Sequence, residues 1–89
     1  MSPLRKSAAR ELAAREEAKS LLSDMPAGSV DEYVGYRHLY GLWCSNNSAV
    51  QELRPLFRMP GVAPDGTIHV TAEFRAKVLE LARRILPKF

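Results

Sequence analysis

Tyr33, Tyr36, Tyr40 and Trp43 follow one another at intervals of three, four and three residues. That spacing fits an α-helix and not a strand, because residues three and four apart share one helical face whereas a strand alternates every second residue. Phe57, Phe74 and Phe89 are the only other aromatic residues of the chain, and the same stretch holds its one cysteine, Cys44. A chain of 89 residues has room for a single core. The helix that carries most of its ring area is therefore expected at the centre of that core. Leu39 joins the ring face, while Val34, Gly35, His38, Gly41 and Leu42 occupy the other. Glycine inside a helix costs about 1 kcal/mol relative to alanine, so Gly35 and Gly41 suggest close approach of another backbone.

The remaining elements follow from composition and punctuation. Residues 4 to 25 are rich in Ala, Leu, Glu, Arg and Lys, which favours a first helix. Ala14, Ala18, Leu21, Leu22 and Met25 recur at helical spacing, whereas Glu11 and Arg15 interrupt the stripe of Leu4, Ala8 and Leu12. The second half of this helix is expected to dock and its first turns, to about Leu12, to be loosely held or reserved for a partner. Pro26 and Gly28 break it. Ser29 with Glu32 reads as a capping box that starts the ring-bearing helix at Val30.

A short third helix, capped by Asn47 or Ser48, is expected to stop or restart at Pro55, with Val50, Leu53, Leu56 and Phe57 as its buried side. "GVAPDGTIHV" predicts a short hairpin, Pro64 being preset for a turn and Gly66 free to take positive φ. Thr71 caps a final helix whose buried stripe is Phe74, Val78, Leu81, Ala82 and Ile85. The expected fold is thus mainly α: one compact four-helix domain over residues 1 to 89, with a short β-hairpin between helices three and four.

Charge narrows the function classes. The formal net charge is +3, yet residues 1 to 25 carry five basic and four acidic side chains, 26 to 59 three and three, and 60 to 89 five and three. A surface that tracks phosphates clusters its cations, and the excess here is spread thin along the chain, which weakens a nucleic-acid reading without removing it. No window resembles a membrane span or a secretory signal, and a lone cysteine suits a reducing compartment, so the expected location is the cytoplasm, away from membranes.

No cofactor and no enzyme activity is expected. Cys44, His38 and His69 lack the paired spacing of a zinc site, and a Cys44 nucleophile would need an imidazole base that His38, six residues earlier, does not supply. Neither a phosphate-binding glycine loop nor a nucleophile elbow is present. The expected function is stoichiometric binding to another protein, as a regulator, inhibitor, adaptor or assembly component. A second copy of the chain is among the candidate partners. The candidate contact residues are Tyr33, Tyr36 and Tyr40, whose rings supply large contact area, and Leu4, Ala8 and Leu12.

One alternative rests on a resemblance. "YRHLYGLWCSNNSAVQELR" has the outline of a helix-turn-helix, with the hairpin as its wing, over about half of the chain. That resemblance implies a DNA-binding regulator, with Asn46, Asn47, Ser48, Gln51 and Arg54 directed at bases or phosphates. The segment departs from the pattern at Tyr40, where the first helix usually has a small residue, and at Glu52, which offsets Arg54.

Overall fold

The computed structural model describes residues 3–59, 63 and 67–89, with side chains from residue 8 onward. It is mainly helical. Helix α1 spans Pro3–Ala27, α2 Glu32–Ser45 and α3 Ala72–Ile85. Between α2 and α3 lie two 3-10 helices, η1 (Asn47–Ala49) and η2 (Gln51–Arg58), and a last one, η3 (Leu86–Lys88), follows α3. Helices α1, α2 and α3 pack against one another, η2 fills the space beside α2 and α3, and η1 and η3 lie against α1.

The expected β-hairpin is absent: no strand occurs among the described residues. The Ala63 amide donates to the Thr67 carbonyl at 2.8 Å, and Ile68 takes part in one isolated bridge. A single bridge is too little pairing for a two-stranded unit, which is marginal even when fully formed. The turn residues Pro64 and Gly66 lie outside the described residues.

The link from α1 to α2 is a Schellman motif. Gly28, at φ +84°, donates to the Met25 carbonyl at 3.1 Å, and the Ser29 amide donates to the Asp24 carbonyl at 3.0 Å. Ser29 is thereby committed to closing α1 and does not open α2. Asp31 is the N-cap instead: its Oδ2 accepts from the amides of Tyr33 at 2.9 Å and Val34 at 3.3 Å. Arg75 of α3 fixes that cap, donating to Asp31 at 2.6 Å and to Glu32 at 2.9 Å. Charge-assisted bonds of this kind tie the start of α2 to α3.

Pro55 does not stop η2. The segment runs through it because it is a 3-10 helix, in which side chains three apart eclipse. Val50, Leu53, Leu56 and Met59 stand at intervals of three, and all four are buried. Their common row lies in the core, which holds the segment in a geometry that isolated chains seldom extend beyond a turn.

The core combines Ala14, Ala18, Leu21, Leu22 and Met25 of α1 with Tyr36 and Leu39 of α2, the η2 row, and Phe74, Val78, Leu81, Ala82 and Ile85 of α3. Thr71 caps α3 through its hydroxyl, which accepts from the Phe74 amide at 3.1 Å. Gly35 is buried where α2 meets α1. A Cβ there would lie 2.7 Å from Cγ of Met25 and closer still to its Sδ, so the close approach is by a side chain and not by a backbone. Gly41 faces open space.

Candidate protein-binding surface

The buried stripe of α1 begins at Ala14. Every described side chain before it, from Ala8 to Ala13, is exposed, and Leu12 is 60% exposed, the most of any large apolar side chain described. The cause is a change of residue type on one face. One turn before Ala14, the positions that would continue the stripe are Arg10 and Glu11, whose charges favour water over a core. Helix α1 therefore extends past the body it packs on. The molecule measures 48 × 30 × 18 Å with a radius of gyration of 13.5 Å, above the roughly 12 Å of a compact chain of this length.

Arg10 and Glu11 form one wall of an open groove of about 400 Å³ whose other wall is the end of α2, Cys44 and Ser45, with Asn46 and η1 after it. Asn46, Asn47 and Ser48 line it together. Asn46 is held by its side-chain amide, which donates to the Leu42 carbonyl at 3.4 Å. Gln51 and Arg54 are exposed on η2, in the row that ends at Phe57.

Beneath the groove Arg15 ties three segments together. Its guanidinium donates to the Ala49 carbonyl at 2.8 Å, to Glu52 at 2.9 Å and to the Lys88 carbonyl at 3.0 Å, and stacks 4.4 Å from the centre of the Phe89 ring. Arg15 is a structural clamp that sequence reading registers only as an interruption of a stripe. Its bond to Glu52 also means that Glu52 does not offset Arg54. Neither Arg54 nor Arg58 has an ion-pair partner among the described residues.

The ring face of α2 grades from core to surface. Tyr36 is buried, Tyr33 and Trp43 are half-buried, and Tyr40 is 49% exposed. Phe57 is wedged among them, its ring centre 5.5 Å from Tyr36, 5.4 Å from Tyr40 and 5.1 Å from Trp43. Phe74 meets Tyr36 edge-on at 5.3 Å. Burial, with a smaller contribution from Tyr40, pushes the Tyr36 phenol up to about 12. Cys44, one turn on, holds the Tyr40 phenol above its ordinary pKa. Arg37 stands over the Tyr33 ring at 5.8 Å.

Of the residues singled out in sequence, Ala8, Leu12 and Tyr40 are exposed, Tyr33 is partly so, and Tyr36 belongs to the core. Leu4 falls on the first turns of α1, and its side chain lies outside the described atoms. His38 is bonded to Glu17 of α1 at 2.6 Å, away from the exposed Cys44. Among the described residues no three His, Cys, Asp or Glu side chains converge as metal ligands, and no helix is long and apolar enough to cross a membrane. Comparison with known protein families, with curated proteins and with solved structures gave no match.

Proposed function

We propose that this chain is a non-catalytic cytoplasmic protein that works by stoichiometric binding to another protein, as a regulator, inhibitor, adaptor or assembly component. The observation that carries the proposal is the exposed first half of α1, with Leu12 standing clear of the core among Ala8, Ala9 and Ala13. The docked half of α1 supplies the helical nucleus, and alanine propagates a helix at the least cost of any residue, so the segment is presented already ordered. Binding to an ordered segment forfeits less entropy than binding to a floppy one. Tyr40 and the groove walled by Arg10 and Asn47 extend the surface.

The test is isolation of the tagged full-length protein from its host beside the variant Leu12→Glu. A companion protein in fixed ratio, lost with Leu12→Glu and resistant to nuclease, is the expected result. Nucleic acid as the companion would overturn it. The second reading, a DNA-binding regulator, is favoured by one observation, the exposed Arg54 and Arg58, which have no ion-pair partner among the described residues. Against it, η2 buries every third residue and presents the two remaining rows of a 3-10 helix, not the α-helical face that fits a major groove.

A further inference from the structure

We infer that the first half of α1 is a self-complementary surface and that its occupant is a second copy of this chain, paired antiparallel to it; the inference rests on the protein-binding reading of that segment. Arg5, Ala9, Leu12 and Glu16 recur at intervals of four, three and four, which places them along one line of α1. At about 100° per residue that line stands roughly 165° from the mean direction of Ala14, Ala18, Leu21, Leu22 and Met25. The face thus points directly away from the core, and two molecules joined along it carry their bodies on opposite sides without collision.

The sequence of this face reads as its own complement. Arg5 and Glu16, Ala8 and Ala13, and Ala9 and Leu12 are each disposed symmetrically about the midpoint between residues 10 and 11. A two-fold axis at that point brings Arg5 of each copy to Glu16 of the other. It also sets Leu12 of each copy on the partner's Ala9. Ion pairs then close both ends of an apolar centre built from one leucine and three alanines per chain. The alanines permit the short end of the usual 8–10 Å separation of packed helix axes, roughly, and Leu12 loses the water it meets in the monomer. Glu16 is exposed and has no ion-pair partner within the chain among the described residues, so it is available. A parallel pairing would set Arg5 against Arg5 and Glu16 against Glu16, which like-charge repulsion disfavours.

Sedimentation equilibrium of the full chain at low ionic strength, from about 1 to 500 μM, tests this, since so small an interface gives a weak dimer. The wild type is expected to show a concentration-dependent monomer–dimer equilibrium. Arg5→Glu and Glu16→Arg each place like charges at both ends and should weaken it about tenfold or more, as should Leu12→Glu. The double variant Arg5→Glu/Glu16→Arg restores both ion pairs in an antiparallel homodimer and sets like charges together in a parallel one, so recovery of association in it is the decisive result. Circular dichroism of each variant checks that helix content is unchanged. A chain that is monomeric at every concentration overturns the second copy as occupant, while the fate of the companion protein in Leu12→Glu separately decides the broader reading. A dimer indifferent to all three substitutions places the contact elsewhere and overturns the inference.

Discussion

Replacing either glycine of α2 with alanine changes the same chemistry in the same helix, yet the two substitutions are expected to act in opposite directions. In a helix interior the change gains about 0.5–1 kcal/mol from reduced unfolded-state entropy and better helix propensity. At Gly41 the new methyl meets nothing within 4 Å, so Gly41→Ala is expected to stabilise by that full amount. At Gly35 the methyl lands 2.7 Å from Cγ of Met25, nearer still to Sδ, and 3.4 Å from Cγ1 of Val30. Met25 is 2% exposed and enclosed by the core, so its side chain has no open direction in which to move. Overpacking of this kind costs about 1–3 kcal/mol, which offsets the propensity gain and leaves a net loss of up to about 2.5 kcal/mol. For a domain of this size each kcal/mol moves the melting temperature by about 4–8 °C. Urea unfolding followed by Trp43 fluorescence gives both values directly. In a Met25→Ala background the obstruction is gone, and Gly35→Ala should recover part of its loss, a coupling that a double-mutant cycle reads. Equal stabilisation by the two alanines in the wild type would refute the α1–α2 contact.

Arg15→Ala removes the bonds to Ala49, Glu52 and Lys88 and the stack on Phe89, and is expected to destabilise by about 1–2 kcal/mol; Arg15→Lys should recover little, because an ammonium cannot reproduce the planar fork, and chemical denaturation checks both. Because burial raises the Tyr36 pKa to about 12, the neutral phenol is the form that folding favours. Its contribution is complete below about pH 10 and is lost as pH rises towards 12. Absorbance at 295 nm should show one tyrosine ionising with alkaline unfolding, a step that Tyr36→Phe removes. Arg75 holds the Asp31 carboxyl below its ordinary value, with the Val34 amide second. Its stabilising contribution is therefore present above the ordinary carboxylate pKa and lost as pH falls through the lowered one, so Arg75→Ala should lose most stability near neutrality and progressively less in acid, as measured by melting curves against pH. If the DNA reading holds, labelled duplex at about 50 mM salt should bind at micromolar concentration with a steep salt slope that Arg54→Ala reduces; weak, salt-insensitive association is the expected outcome.

The α-helices were legible because their buried stripes repeat at helical spacing: Ala14 to Met25 and Phe74 to Ile85 are in the core as their periodicity implies. Segment η2 is different. Val50, Leu53, Leu56 and Met59 announce a three-residue period, but the proline within it invites a break, and only the packed row shows that 3-10 geometry resolves the conflict. The hairpin failed for a related reason. Turn chemistry in "APDG" is a local preference, and a strand also requires a partner along its length, which Ile68 does not find among the described residues. Ser29 and Asp31 were both chemically able to cap α2, and the choice depends on Gly28, whose left-handed φ commits Ser29 to α1. Arg15 shows what one sequence withholds most firmly. A cation that interrupts an apolar stripe looks like solvated surface until the chain's far end, Lys88 and Phe89, arrives beside it.

The central claim is that α1 does two jobs, its second half building the core and its first half serving a partner. Deleting residues 2 to 10 tests this most directly, with unfolding by urea followed through Trp43 at a concentration where the chain is monomeric. The expected result is a free energy of unfolding within about 0.5 kcal/mol of the full chain and an unchanged urea dependence, since no described side chain before Ala14 is buried. A loss of more than about 2 kcal/mol in the monomer would mean that the segment belongs to the fold, and would contradict the claim that it is kept free for binding.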